Sequence, residues 1–314
     1  MAWYGWLAAG ATVLLAAYLT AGYLLFRYLC LPKKKTAEGA ETGEGRALKA
    51  YVPLIRQRAQ EIAQNAHELV SIRSFDGLTL RAKLYPNRKT DRIVLLVHGY
   101  QSSTAWDFGA SFASYRRAGY TILAVDNRAH GASEGRFIGF GALDQRDVCA
   151  WMGWLVARFG GSCKIALVGV SMGGATVLLA SGNHPIDQLA CVVEDCGYTS
   201  LYAVVESIIS ERGYPGHVIV PAASLWCRLL AGYFFSDANA KKAVRRSHTP
   251  TLFLHGTADR FVPFRMHAEL YDACAAPKER AVFEDAVHGE SSYRYPERYE
   301  AAVLPFLERF MDES

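Results

Sequence analysis

The segment Gly169-Val170-Ser171-Met172-Gly173-Gly174 sets one serine among glycines, directly after the apolar run Ile165–Val168 and before a helical run, Ala175–Ser181. A G-x-S-x-G pattern between a strand and a helix describes a sharp turn. It lifts a serine hydroxyl to the helix N-terminus, where backbone N–H groups favour developing negative charge. Small residues at 169 and 173 are what such a turn requires. A serine hydroxyl attacks poorly until a base takes its proton, and that base needs a neighbour to fix its tautomer. Nine histidines are available, so position must choose among them. His288, in Asp285-Ala286-Val287-His288-Gly289, falls in a loop after the last predicted strand. Asp259, in His255-Gly256-Thr257-Ala258-Asp259, follows the strand predicted at Thr251–Leu254. The chain order Ser, Asp, His is one used by nucleophilic sites on open α/β sheets. The chemistry implied is acyl transfer, with Ser171 as nucleophile, His288 as base and Asp259 orienting it. Asp195 also follows a strand and is the alternative third member.

Acyl transfer also needs donors for an oxyanion. The backbone N–H of Met172 is one. The other is expected from the loop His98-Gly99-Tyr100-Gln101, with the N–H of Tyr100 as donor and Gly99 letting the chain turn tightly. The Tyr100 side chain either lines a pocket or simply packs. His98 is read as part of the loop scaffold, not as a base.

These residues have to be carried by elements that converge. Two short alternating runs, Glu68–Arg73 and Leu78–Tyr85, meet around Asp76-Gly77 and predict a hairpin. Beyond them, continuous apolar runs at Ile93–Val97, Thr121–Val125, Ile165–Val168, Leu189–Val193, Thr251–Leu254 and Arg280–Phe283 alternate with helical stretches. Strands buried on both faces need such runs, and helical crossovers make them parallel. The expected fold class is α/β, a mostly parallel, doubly wound sheet entered through an antiparallel hairpin. Residues 198–248 interrupt the rhythm with helical spacing and no clear strand, and read as a helical cap over the carboxyl edge of the sheet. Apolar residues in it, among them Ile208, Val220, Trp226 and Phe235, either form an acyl pocket or pack the cap onto the sheet.

Ala2 to Phe26 holds no charged side chain, and at about 1.5 Å per residue it is long enough to span a bilayer. Aromatic residues mark both ends, and Arg27, Lys33, Lys34 and Lys35 follow. A signal peptide would carry its charge first. The positive-inside rule places the remainder in the cytoplasm. The expected organisation is a membrane anchor at 1–28, a linker at 29–50 containing a flexible tether at Thr36–Gly45, an amphipathic helix at 51–66, and the α/β domain at 67–314. Apolar residues Ile55, Ala59, Ile62, Ala66 and Leu69 set the face of that helix. The net charge of +4 is small for 314 residues, and no basic cluster is interleaved with aromatics, which argues against nucleic-acid binding. Seven cysteines, odd in number and without C-x-x-C spacing, predict free buried thiols. No metal or organic cofactor is expected.

Taken together, His98-Gly99, the run Asp126-Asn127-Arg128-Ala129-His130-Gly131-Ala132-Ser133-Glu134-Gly135, Gly169–Gly174, His255–Asp259 and Ala286-Val287-His288 resemble the α/β-hydrolase superfamily. More closely they are similar to its bacterial membrane-anchored branch, lysophospholipase-like or Bem46-like. The resemblance runs from about residue 67 to the C-terminus. It implies an α/β-hydrolase fold, an esterase-like reaction on a small or lipid-like ester, and a structural role for Asp126, Arg128, His130 and Ser133.

Overall fold

The structure, a computed structural model, describes residues 2–33 and 48–312. The tether expected at Thr36–Gly45, with Lys34 and Lys35, lies outside the described residues. The N-terminal apolar run forms one helix, α1 (Ala2–Cys30). It is long and apolar enough to cross a membrane. Its first part, Trp3–Ala17, is exposed, whereas Gly22, Phe26 and Cys30 are buried. The helix thus continues two residues past the expected anchor and docks on the protein before it ends.

Helix α2 (Val52–Gln64) begins with Pro53 in its first turn, where the missing N–H costs nothing. It buries Ile55 and Ile62. The helical face expected to run on through Ala66 and Leu69 stops earlier. Asn65 turns to extended backbone (φ −69°, ψ 134°), and its side-chain amide donates to the Glu61 carbonyl at 2.8 Å. Leu69 instead belongs to a strand and is 76% exposed.

The predicted hairpin is β1 (Glu68–Arg73) and β2 (Thr79–Tyr85), with Gly77 at φ 87° in the turn. There follow β3 (Lys89–Val97), the short helices α3 (Thr104–Phe108) and α4 (Phe112–Arg117), β4 (Tyr120–Asp126), α5 (Asp144–Phe159), β5 (Lys164–Val170), α6 (Met172–Asn183) and β6 (Leu189–Asp195). The cap comprises α7 (Leu201–Glu211), α8 (Gly216–Ala231) and the short α9 (Ala240–Val244). The chain closes with β7 (Thr251–Gly256), α10 (Arg265–Ala273), β8 (Lys278–Phe283), α11 (Ser291–Arg294) and α12 (Pro296–Met311). Each predicted strand is present: β1 keeps its predicted bounds, β2 begins one residue later than predicted, and β3 to β8 extend two to four residues beyond their apolar runs because hydrogen-bonded pairing continues into the flanks.

All eight strands form one sheet, ordered β1-β2-β4-β3-β5-β6-β7-β8. The pairs β1–β2 and β2–β4 are antiparallel, and the remaining pairs are parallel. Alternate residues feed two cores. Ile93, Leu95 and Val97 of β3 face one, and Val94 and Leu96 face the other. Burial on both faces explains the unbroken apolar runs. This is the α/β-hydrolase fold. After β3 the chain moves outward to β4, then returns across β3 to β5. The carboxyl ends of β3 and β5 therefore border the switch point where ligands bind in open α/β sheets.

Candidate active site

Ser171 stands at that switch point, between the end of β5 and the start of α6. Its backbone is held at φ 55°, ψ −117°, outside the regions an L-residue prefers. Two neighbours make the turn possible. A Cβ at Gly173 would collide with the Val97 carbonyl of β3, and one at Gly169 would collide with the Gly173 carbonyl. From below, the Ser171 N–H donates to the Asp195 carbonyl at 2.8 Å.

The structure brings the three separated residues together. Ser171 Oγ lies 2.8 Å from His288 Nε2, and His288 Nδ1 lies 2.7 Å from Asp259 Oδ2. All three are buried. An ionised carboxylate can only accept, so the Nδ1 proton belongs to the Asp259 bond and Nε2 is left to accept from the serine hydroxyl. Asp259 is stabilised from several sides. The N–H groups of Phe261 and Val262 both donate to Oδ1 at 2.9 Å. His255 Nε2 lies 3.2 Å from Oδ2 and 3.0 Å from the Val262 carbonyl. Burial alone would raise the Asp259 carboxyl, but His288 and the His255 hydrogen bond outweigh it and hold the group well below the usual carboxylate range.

Asp195, the alternative partner, is buried beneath the elbow with its carboxyl hydrogen-bonded to Tyr299, and burial pushes it up to about 6. The carboxylate that meets His288 is that of Asp259. Beside Asp195, Glu194 accepts from the Gly197 N–H, and burial pushes it up to about 7.

The loop after β3 packs against the elbow, so that a Cβ at Gly99 would approach the Ser171 Cβ to 3.2 Å. Gly99 N donates to Asp107 Oδ2 at 2.6 Å, and Gln101 N donates to His130 Nε2 at 2.9 Å. Tyr100 is the residue between these two anchored N–H groups. Met172 opens α6, where the first-turn N–H groups have no helical partner. Asp107 sits in the short helix α3. Burial raises it to about 6, opposed by the Gly99 N–H and the Ser102 hydroxyl.

His98 is scaffold. Its Nδ1 meets the Gly99 carbonyl at 2.9 Å, and its Nε2 accepts from Asn127 N at 3.2 Å. The segment from Asp126 is likewise structural. Arg128, 2% exposed, pairs with Asp147 at 2.6 Å and Asp76 at 2.9 Å, while Ser133 Oγ donates to the Asp126 carbonyl at 2.6 Å.

A small hollow, with room of about 50 Å³, opens beside Ser171. Its walls are Tyr100, Phe140, Met172, Tyr198, Phe261 and Val262 from the sheet edge, Leu201, Val204, Val205 and Ile208 from α7, and Leu29 from α1. Among these described residues none carries a charge. The donor atoms of Cys196, Asp259 and His288 lie within 4.8 Å of one another, a set able in principle to hold a metal ion. Here Asp259 and His288 are already committed to each other and to Ser171.

The X-Pro dipeptidyl-peptidase family (S15) matches residues 47–218, more than half of the chain. The chain belongs to the S15 family. Solved structures agree on the fold. An esterase from Pyrococcus furiosus aligns with TM-score 0.67 at 20% identity, over 90% of this chain and 98% of its own. The esterase RhEst1 from Rhodococcus aligns with TM-score 0.59 at 18% identity, over 77% and 99%. Among curated relatives, the uncharacterized protein YqkD of Bacillus subtilis is 25% identical over 62% of this chain and 65% of its own length. The uncharacterized protein YfhR of Salmonella typhi is 28% identical over 46% and 47%. The chain thus spans less than two thirds of these first relatives. The S15 match ends within the cap, before Asp259 and His288 are reached. The narrower lysophospholipase-like or Bem46-like branch stays a resemblance.

Three features of this S15 member go beyond the sequence reading. The pocket wall from α7 has helical spacing at 201, 204, 205 and 208, a stripe visible in the sequence once that helix is placed. His255, next to the strand end, points its Nε2 at Asp259, and its position four residues earlier was the available signal. Leu29 had none. The other cap residues divide. Val220 and Phe235 are buried in the core, Trp226 packs against α1, and only Ile208 of the residues singled out lines the hollow. The packing reading therefore holds for α8, while α7 lends apolar residues to the hollow.

Proposed function

We propose that this S15 member is a serine hydrolase that cleaves carboxylic esters through an acyl-enzyme, using Ser171, His288 and Asp259 as a catalytic triad. The observation that carries this is the continuous hydrogen-bond chain Ser171 Oγ–His288–Asp259, at 2.8 and 2.7 Å, opening on an uncharged apolar hollow. Ser171 Oγ attacks the ester carbonyl carbon while its proton passes to His288 Nε2. The carbonyl oxygen becomes an oxyanion and accepts from the N–H groups of Met172 and Tyr100. Asp259 holds the imidazolium. When the tetrahedral intermediate collapses, the alcohol leaves with the proton from His288. Water then repeats the sequence and releases the acid. No metal or cofactor takes part in these steps.

A second reading comes from the S15 family itself, whose description is of an X-Pro dipeptidyl peptidase. Such a substrate presents a free ammonium close to the scissile bond, and burying that charge demands a partner. The hollow beside Ser171 offers no carboxylate among its lining residues. An apolar acyl group fits it without that penalty, so the ester reading is favoured.

The chain is further proposed to be a single-pass membrane protein with its catalytic domain in the cytoplasm. The exposed stretch Trp3–Ala17 spans roughly 22 Å at about 1.5 Å per residue. A hydrocarbon core of about 30 Å therefore draws in the next turns as well and brings the cap to the membrane surface. Exposed Leu225, Leu229 and Leu230 of α8 suit that position.

The deciding experiment is labelling of the detergent-solubilised protein with a fluorophosphonate, beside Ser171→Ala, with parallel assays on p-nitrophenyl esters and an X-Pro p-nitroanilide. Labelling lost in the variant, with ester turnover exceeding anilide turnover, supports the proposal. Turnover of the anilide alone would replace it with the peptidase reading. Digestion of the domain by protease outside intact cells would overturn the orientation.

A further inference from the structure

The end of α1 is built into the site. Phe26 and Cys30 are 1% and 0% exposed, and a Cβ on Gly22 would collide with Ala222 of α8. Trp226 of α8 donates from Nε1 to the Leu19 carbonyl at 2.8 Å, and its ring meets that of Tyr23 edge-on, centroids 5.2 Å apart. The carbonyls that end a helix have no helical partner, and here the active-site loops supply them. Tyr100 Oη donates to the Leu29 carbonyl at 3.0 Å, and Ile138 N donates to the Cys30 carbonyl at 2.9 Å. Tyr100 belongs to the loop that also faces Ser171, and its ring stacks on Phe140, another wall of the hollow, with centroids 5.1 Å apart. Between these fixed points Leu29 lines the same hollow as Ser171, with the α7 stripe also lining it.

We propose that the last turn of α1 is a wall of the substrate pocket and that Leu29 sets which acyl chains the enzyme accepts. The substrate class is esters of aliphatic acids, the acyl chain lying among Leu29, Val204, Val205 and Ile208. The helix is then both an anchor and a part of the binding site. This rests on the ester-hydrolase reading above. An aliphatic chain gains from each methylene buried in such a hollow, and a wall residue that changes volume changes how many methylenes fit.

The test uses full-length protein in detergent micelles and p-nitrophenyl esters from butyrate to tetradecanoate, read as ratios of kcat/KM between chain lengths. Leu29→Trp fills the hollow and is expected to lower the decanoate-to-butyrate ratio at least tenfold. Leu29→Ala enlarges it and is expected to move the optimum toward longer chains, which keeps the test open if the tryptophan variant does not fold. Leu14→Trp, on the exposed part of the same helix (74% exposed), should keep the wild-type ratios. Unchanged ratios in both Leu29 variants, or an equal shift in Leu14→Trp, would overturn the assignment of Leu29 while leaving ester hydrolysis standing. Wild-type protein that turns over no ester and takes no fluorophosphonate label would remove the hydrolase reading, and this inference with it.

Discussion

The elbow around Ser171 and the outer wall of its pocket lie side by side but are held by different means. At the elbow, backbone packs on backbone. Gly169 packs β5 on the start of α6 and Gly173 packs α6 on β3 so closely that one added methyl on either strikes a carbonyl, and Ser171 keeps an unfavourable φ because everything around it is fixed. At the wall, side chains from distant helices meet. Leu29 of α1 and the stripe on α7 are apolar, replaceable in kind, and set by how α1 docks on the cap. The elbow tolerates almost no change, and the proposed chemistry takes place there. The wall tolerates changes of volume, and in the proposal it selects what reaches that chemistry.

Substitutions can separate the two. The largest effect is expected for Ser171→Ala, a loss of kcat on the order of 10⁵–10⁶-fold at unchanged fold, read from ester turnover. Asp259→Asn should follow at about 10⁴-fold, because an amide cannot hold His288 in the tautomer that leaves Nε2 to accept from the serine. Gly173→Ala tests the backbone side directly. Its methyl meets the Val97 carbonyl, and a loss of about 3 kcal/mol or more is expected, seen as a lowered Tm in detergent. A Tm equal to wild type would show that the elbow is looser than its geometry implies. Gly22→Leu tests the wall side. It should push α1 off Ala222 and change chain-length preference several-fold in the manner of a Leu29 variant, while labelling of Ser171 persists.

The last expected effect concerns stability alone. Glu194 is fully buried and raised from 4.5 to about 7, so the folded state holds a proton that the unfolded state releases. Its influence is therefore absent below about pH 4.5 and increasingly destabilising as pH rises through 7. Glu194→Gln carries no such titration. Relative to wild type it should gain stability between pH 5 and pH 8, by on the order of 3 kcal/mol at most, measured by denaturant unfolding at each pH. A difference that does not change with pH would show that Glu194 keeps its charge in the fold.

What could be read directly from the residues was whatever local sequence enforces. The glycines of the elbow, the apolar runs of the strands and the order of Ser171, Asp259 and His288 are each local patterns, and the sheet brings their strand ends to one edge. For that reason the fold class agrees with the sequence reading, and the structure brings Ser171, His288 and Asp259 within hydrogen-bond reach of one another. Local signals were less decisive where two patterns overlapped. Leu69 fitted a helical face and a strand alike, and the side-chain cap made by Asn65 determined where the helix stopped. The division of the cap, with α7 lining the hollow and α8 meeting α1, followed from tertiary packing alone. So did the approach of His255 to Asp259. Above all, nothing within residues 1–30 connects Leu29 to a serine far along the chain. That contact exists because Gly22 lets α1 settle on Ala222 and because Tyr100 and Ile138 satisfy the carbonyls at its end. The amino-acid sequence by itself determined the elbow serine and the sheet that carries it, since strands and tight turns are written in short-range pattern. Only the tertiary structure decided what borders that group, since apolar side chains carry no address and meet wherever packing leaves them a place.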